Sequence, residues 1–170
     1  MPFDLATTPI QGLVLGLVAL PVCLWVIRTD LVAMRIPNVA VLALLGGFVL
    51  VAPLVMGWPE YGWRLLQAAA VLAVGFVLSA SPVRLGAGDA KFAAAMAPYV
   101  AGADLGLVVW LYVVATFAGL ALHRAAKLTP PVRRATAGWA SWSDARMVPF
   151  GIVLASTLLA YLGLAAAAGR

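Results

Sequence analysis

The sequence predicts an all-α, polytopic membrane bundle of about six transmembrane segments, the fourth of them short. Two observations on composition and one on pattern carry this. Hydrophobic residues make up 65% of the 170 positions and charged residues only 10%, whereas a soluble domain is nearer half apolar and a quarter charged. The apolar residues fall in runs of about 20, the length that crosses a bilayer as a helix. The alternating short segments of a membrane β-barrel do not occur.

Taken in order, the first helix is expected over Ile10 to Ile27, with Pro21 inside it. A loop follows from Arg28 to Asn38, and Pro37 suits the first turn of the next helix, where its missing N–H costs nothing. The second helix is expected over Val39 to Met56. The loop Gly57 to Arg64 is rich in turn formers and interfacial aromatics. A third helix runs from Leu65 to Ala80 and ends at Ser81-Pro82. The fourth segment, Ala90 to Val100, is short for a full span. The fifth is expected over Leu105 to Ala121. A long basic loop, His123 to Arg146, precedes a last helix from Met147 to Ala168. The loops leave no room for a soluble domain, so residues 1–170 read as a single integral-membrane domain.

The net charge of +5 sits in short loops between apolar runs, which speaks for topology and against nucleic acid as a partner. Arg28, Arg35, Arg84, Lys91, Arg124, Lys127, Arg133, Arg134 and Arg146 belong to the odd-numbered loops and their flanks. Arg64 and Arg170 fall on the other side. The positive-inside rule then puts the odd loops in the cytoplasm and both termini outside, and it requires the short fourth segment to cross or re-enter. The basic loop from Arg124 to Arg146 is suited to anionic lipid. The first apolar run lacks a basic leader and a small-residue cleavage site, so a retained helix is expected. Cys23 is the single cysteine. It excludes an intrachain disulfide and a cysteine zinc site.

The chemistry concentrates in Gly86-Ala87-Gly88-Asp89-Ala90-Lys91 and in Asp30. A carboxylate at membrane depth is costly and usually functional. On this topology Asp30 and Asp89 lie on the same, cytoplasmic, face. Two carboxylates brought together share a proton and titrate as a unit. One can take a proton from water while the other donates to a scissile carbonyl. Asp89 opens a helix, whose dipole favours its charged form; Asp30 is expected just past a helix end, which favours its protonated form. Gly86 and Gly88 let a substrate backbone approach and permit φ > 0 for a tight turn. An extended peptide could pair with that segment through its main chain.

Blander readings stand beside these. Asp89 could cap its helix, and Asp30 could be an ordinary loop charge. Lys91 and Arg35 are most often topology determinants, and Lys91, two residues on, points away from Asp89. His123 reads as an interfacial polar residue, and Trp139 and Trp142 as headgroup-level aromatics. Glu60 and Asp104 fall away from the pair. Asp144 is a weak third acid.

Gly86-Ala87-Gly88-Asp89-Ala90-Lys91 resembles the GxGDxK signature of the type IV prepilin peptidases, a family of GxGD membrane aspartic proteases. Asp30 ahead of Arg35-Ile36-Pro37-Asn38 resembles that family's first catalytic segment, and Val148-Pro149-Phe150-Gly151 resembles the start of its last helix. The resemblance implies an endopeptidase of the bacterial inner membrane that removes the leader of prepilins or pseudopilins. Asp30 and Asp89 would be catalytic, with no metal or cofactor expected for the hydrolysis, and Gly86, Gly88, Lys91, Arg35, Pro37 and Asn38 would bind substrate or shape the site. It implies the prepilin, membrane lipid and the pilus assembly machinery as partners. Larger members carry an extra region with paired cysteines, linked to zinc binding and methylation. Its absence here argues against methyl transfer and resembles the compact Tad/Cpa branch that processes Flp-type prepilins. The alternative from a different class is a small transporter or channel component using the two aspartates as a proton relay. It would favour inverted repeats, and none stands out.

Overall fold

A computed structural model describes residues 5–82, 86–142 and 149–168, with side chains to residue 167, and every regular element among them is helical. In chain order these are α1 (Pro9–Ala33), α2 (Asn38–Val51), α3 (Trp58–Ala80), α4 (Ala87–Met96), α5 (Leu105–Leu128), α6 (Pro130–Ala135) and α7 (Phe150–Ala168). The stretches Pro9–Ala33, Trp58–Ala80, Gly102–Leu128 and Phe150–Ala167 are long and apolar enough to cross a membrane, and Asn38–Leu54 is a shorter apolar helix. The helical membrane bundle expected from composition is the fold observed.

Local chemistry explains where the helices begin and end. At the start of α1, Thr8 Oγ1 accepts from Gln11 N (3.3 Å) and Gln11 Oε1 accepts from Thr8 N (3.1 Å). This is a reciprocal capping box with Pro9 in the first turn. The helix does not stop at Ile27. Thr29 Oγ1 donates to the carbonyls of Trp25 and Val26 (both 3.1 Å), which satisfies its hydroxyl inside the helix. It ends at Met34, whose N–H makes a last bond to Asp30 O before its left-handed φ of 51° turns the chain out of the helix. Asp30 therefore belongs to the last turn of α1 and not to a loop.

The start of α3 is seven residues earlier than the apolar run implies. Gly57 precedes it, Pro59 and Glu60 occupy its first turn, and Glu60 pairs with Arg64 at 2.6 Å. Proline and an acid in a first turn are helix-start signals, and here they override the reading of this stretch as a loop. Pro37 lies immediately before α2 rather than within its first turn. α5 continues past Ala121 to Leu128, and α6 takes up part of the expected basic loop.

The short fourth segment has a packing explanation. The ten residues of α4 rise only about 15 Å, too little to cross a bilayer alone. Phe92 and every residue from Ala94 to Ala101 are buried. This segment and its 3-10 continuation, Ala97–Tyr99, are thus enclosed by protein, where irregular backbone is tolerated at membrane depth. α3 lies against it so closely that a Cβ at Gly75 would come within 2.9 Å of Ala90 Cβ. α1 and α7 pack equally tightly: a Cβ at Gly12 would stand 2.5 Å from Ala166 N and 2.8 Å from Ala165 Cβ. Small residues at such crossings are how membrane helices gain dispersion contact.

At the Thr8 end of α1, about 33 Å along the axis from Asp30, a buried polar network fixes the other end of the short segment. Arg64, only 2% exposed, donates through Nη1 to the carbonyls of Pro98 and Tyr99 (3.4 Å each). Its Nη2 donates to Glu60 and to Thr7 Oγ1. Gln67 Nε2 donates to Ala97 O and Val100 O. Tyr161 donates to Asp104 Oδ2 (2.6 Å), accepts from Ala101 N (3.1 Å) and lies 2.5 Å from Thr7 Oγ1. Glu60 and Asp104 belong to this network, far from Asp30. Arg64, counted in the sequence as a topological charge, is an internal tie.

Candidate active site

Asp30, 6% exposed, projects from the last turn of α1 toward the first turn of α7. The backbone N–H groups of Gly151 and Ile152 bond its carboxylate, while Oδ2 has no hydrogen-bond partner among the described residues. The start of a helix presents just such free donors. The approach depends on glycine. A Cβ at position 151 would stand 2.8 Å from Oδ2, 3.0 Å from Cγ and 3.2 Å from Cβ of Asp30. Gly151 is thus a site residue to which the sequence assigned no role. There it stood only in Val148-Pro149-Phe150-Gly151, the string that resembles the start of the family's last helix.

Asp89 is the third residue of α4. Its carboxylate turns back over the helix start: a Cβ at Gly86 would stand 2.5 Å from its Oδ2. Burial and, second, the negative charge of Asp30 push the Asp89 carboxyl up to about 6. Asp89 thus begins a helix as expected. Asp30, however, faces the start of α7 as well as ending α1. Both carboxylates lie at helix N-termini, so the helix-end argument no longer separates a resting base from a proton holder.

The two aspartates line one cavity of about 860 Å³, together with Arg35, Pro37, Asn38, Gly86 and Gly88 and with Met34, Ile36 and Phe150. The α1–α2 connection forms one wall and the start of α4 another. Arg35 is exposed. Lys91 points away from Asp89, and its Nζ donates to Asn38 Oδ1 at 3.3 Å. The expected use of φ > 0 is not seen: no described glycine has a positive φ, and Gly86 is extended at φ −56°, ψ 126°. What position 86 requires is the missing Cβ. Gly88 lies inside α4, so it cannot offer a strand edge, and a Cβ there would meet Ile36 at an ordinary 3.6 Å.

The other residues weighed from the sequence lie elsewhere. His123 stacks on Trp142 with ring centres 4.7 Å apart, and Trp142 stacks on Trp139. Cys23 is fully buried in α1. Asp144 and Val148 lie outside the described residues.

A bundle of apolar helices enclosing two carboxylates in one cavity is a membrane protein with an acid–base pair at hand. Such a pair, sharing one proton, can activate water and protonate a carbonyl. The sequence model of the type IV leader peptidase family matches residues 17–123, and the chain belongs to that family of membrane-bound peptidases. No curated protein and no solved structure gives a significant match. Asp30 and Asp89 fall within the matched residues. Gly151 falls beyond them and reaches the site through the fold.

Proposed function

We propose that this chain is an aspartic endopeptidase that removes the leader of type IV prepilins or pseudopilins, Flp-like ones in particular, at the cytoplasmic face of the bacterial inner membrane. The observation that carries the reading is the meeting of Asp30 and Asp89 in one cavity. The carboxylate that is ionised takes a proton from water as the water attacks the scissile carbonyl. The one that is protonated supplies a proton to the carbonyl oxygen; the proton taken from water then goes to the leaving amine as the C–N bond breaks, and a hydroxyl proton of the tetrahedral diol returns to the carboxylate that gave one. Gly86, without a Cβ, leaves room for the Asp89 carboxylate to turn back over the helix start, while Arg35, Pro37 and Asn38 shape the opposite wall. Sidedness follows from the basic residues of the odd loops. With Arg64 internally paired, the opposing count is smaller still, so the termini lie in the periplasm.

The test is co-expression with an Flp-type prepilin, read as a gel shift. Asp30→Asn and Asp89→Asn should each abolish the shift with the membrane protein still present. Normal cleavage by either variant would refute the two-aspartate mechanism. Proton-coupled transport without cleavage would replace the reading with the relay.

A further inference from the structure

A second depression adjoins the catalytic cavity and shares one wall residue with it. It is an apolar groove of about 650 Å³ between α2, α3 and α4, and Asn38 lines both spaces. Leu45 and Val49 of α2, Leu65, Ala69 and Leu72 of α3, and Ala94 of α4 line it further along. Lys91, hydrogen-bonded to Asn38, stands at the junction. From Asn38 to Val49 the groove follows α2 for about 16 Å, or three helical turns.

We propose that this groove seats the apolar helix of the substrate directly after the scissile bond. The inference rests on the endopeptidase reading above and adds to it a docking site and the shape of what docks. Three observations favour a helix as the occupant. The groove continues the cavity that holds the carboxylates, so a chain leaving them enters it without crossing the protein. Its lining is apolar except at the Asn38–Lys91 end, which matches a segment that is polar where it is cut and apolar beyond. Its floor at the buried Ala68, Ala94 and Ala95 is made of small side chains, which admit close approach of a helix backbone. The substrate would then unwind between the carboxylates and Asn38 and be helical beyond. Binding energy from this remote stem would hold the scissile bond in place.

The test uses the full chain in nanodiscs with two substrates, a whole Flp-type prepilin and a peptide truncated just after the cleaved bond. Ala69 is exposed on the groove wall, so Ala69→Phe fills the groove without entering a packed core. Val109→Phe, on an exposed face of α5 outside the groove, is the control. The expected result is a KM for the whole prepilin raised by about tenfold or more in Ala69→Phe, the effect of losing some 1.4 kcal/mol of binding. The peptide's kcat/KM should stay unchanged, and Val109→Phe should behave as the parent protein. Unchanged cleavage of the whole prepilin by Ala69→Phe would overturn the proposal and leave the groove to lipid. An equal loss on both substrates would also overturn it, since the substitution would then act on the site itself. Cleavage of neither substrate by the parent protein would overturn the endopeptidase reading, and the groove's role with it.

Discussion

Gly151→Ala is the substitution whose effect follows most directly from the structure. The added Cβ would stand 2.8 Å from Asp30 Oδ2 and 3.0 Å from its Cγ, where ordinary contact begins at 3.4 Å. The carboxylate or the first turn of α7 must give by about 0.6 Å. The same movement loosens the bonds from the N–H groups of Gly151 and Ile152. Displacing a catalytic group by about 1 Å can cost about a hundredfold in rate. The expected loss is therefore roughly ten- to hundredfold in kcat for prepilin cleavage, with KM little changed. Gly163→Ala is the matched control. It lies on the same helix with nothing within 4 Å of the added methyl, and it should keep full activity. The assay is steady-state cleavage of a purified prepilin. Parent-like kcat in Gly151→Ala would refute the claim that α7 positions Asp30.

Three further outcomes follow from the same contacts. Arg64→Leu removes the donor to the carbonyls of Pro98 and Tyr99 and should cost about 1–3 kcal/mol of stability, read as a lower unfolding temperature in detergent. Tyr161→Phe strips Asp104 and Ala101 of a partner, and a loss of similar size, again about 1–3 kcal/mol, should appear in the same measurement. The third concerns pH. Folding raises the Asp89 carboxyl to about 6 from an unfolded value of about 4. Between those values the folded chain binds a proton that the unfolded chain does not. The stabilisation is complete below about pH 4 and is lost as pH rises through about 6. Asp89→Asn should accordingly gain on the parent protein in unfolding temperature as pH rises from about 4 to about 6, and keep that gain above it. A constant difference across that range would contradict it.

The class of fold and the two aspartates were legible because they depend on local facts. Apolar run length fixes a membrane helix, and two acids flanking such runs stand out against their surroundings. Helix ends were less legible, since side chains of opposite hydropathy can belong to one helix. α1 carries Thr29, its hydroxyl satisfied by Trp25 and Val26, and Asp30 on past its apolar run, and Pro59 with Glu60 starts α3 before its apolar face begins. The roles of Gly151 and Arg64 were hidden for another reason. Each acts across the fold, on a residue far away in sequence: Gly151 on Asp30, and Arg64 on Pro98 and Tyr99. No spacing along the chain encodes such a contact. The glycines before Asp89 show the converse. Their importance was plain, but the reason was not conformational freedom. At Gly86 it is the space the Asp89 carboxylate occupies.

Titration of Asp89 with and without Asp30 tests the shared cavity most directly. Infrared bands of isotope-labelled aspartate would follow Asp89 in the parent protein and in Asp30→Asn. In the parent protein the carboxyl should titrate near 6, and removing the neighbouring charge should lower its midpoint. An Asp89 midpoint unmoved by Asp30→Asn would mean that the two carboxylates do not sense each other.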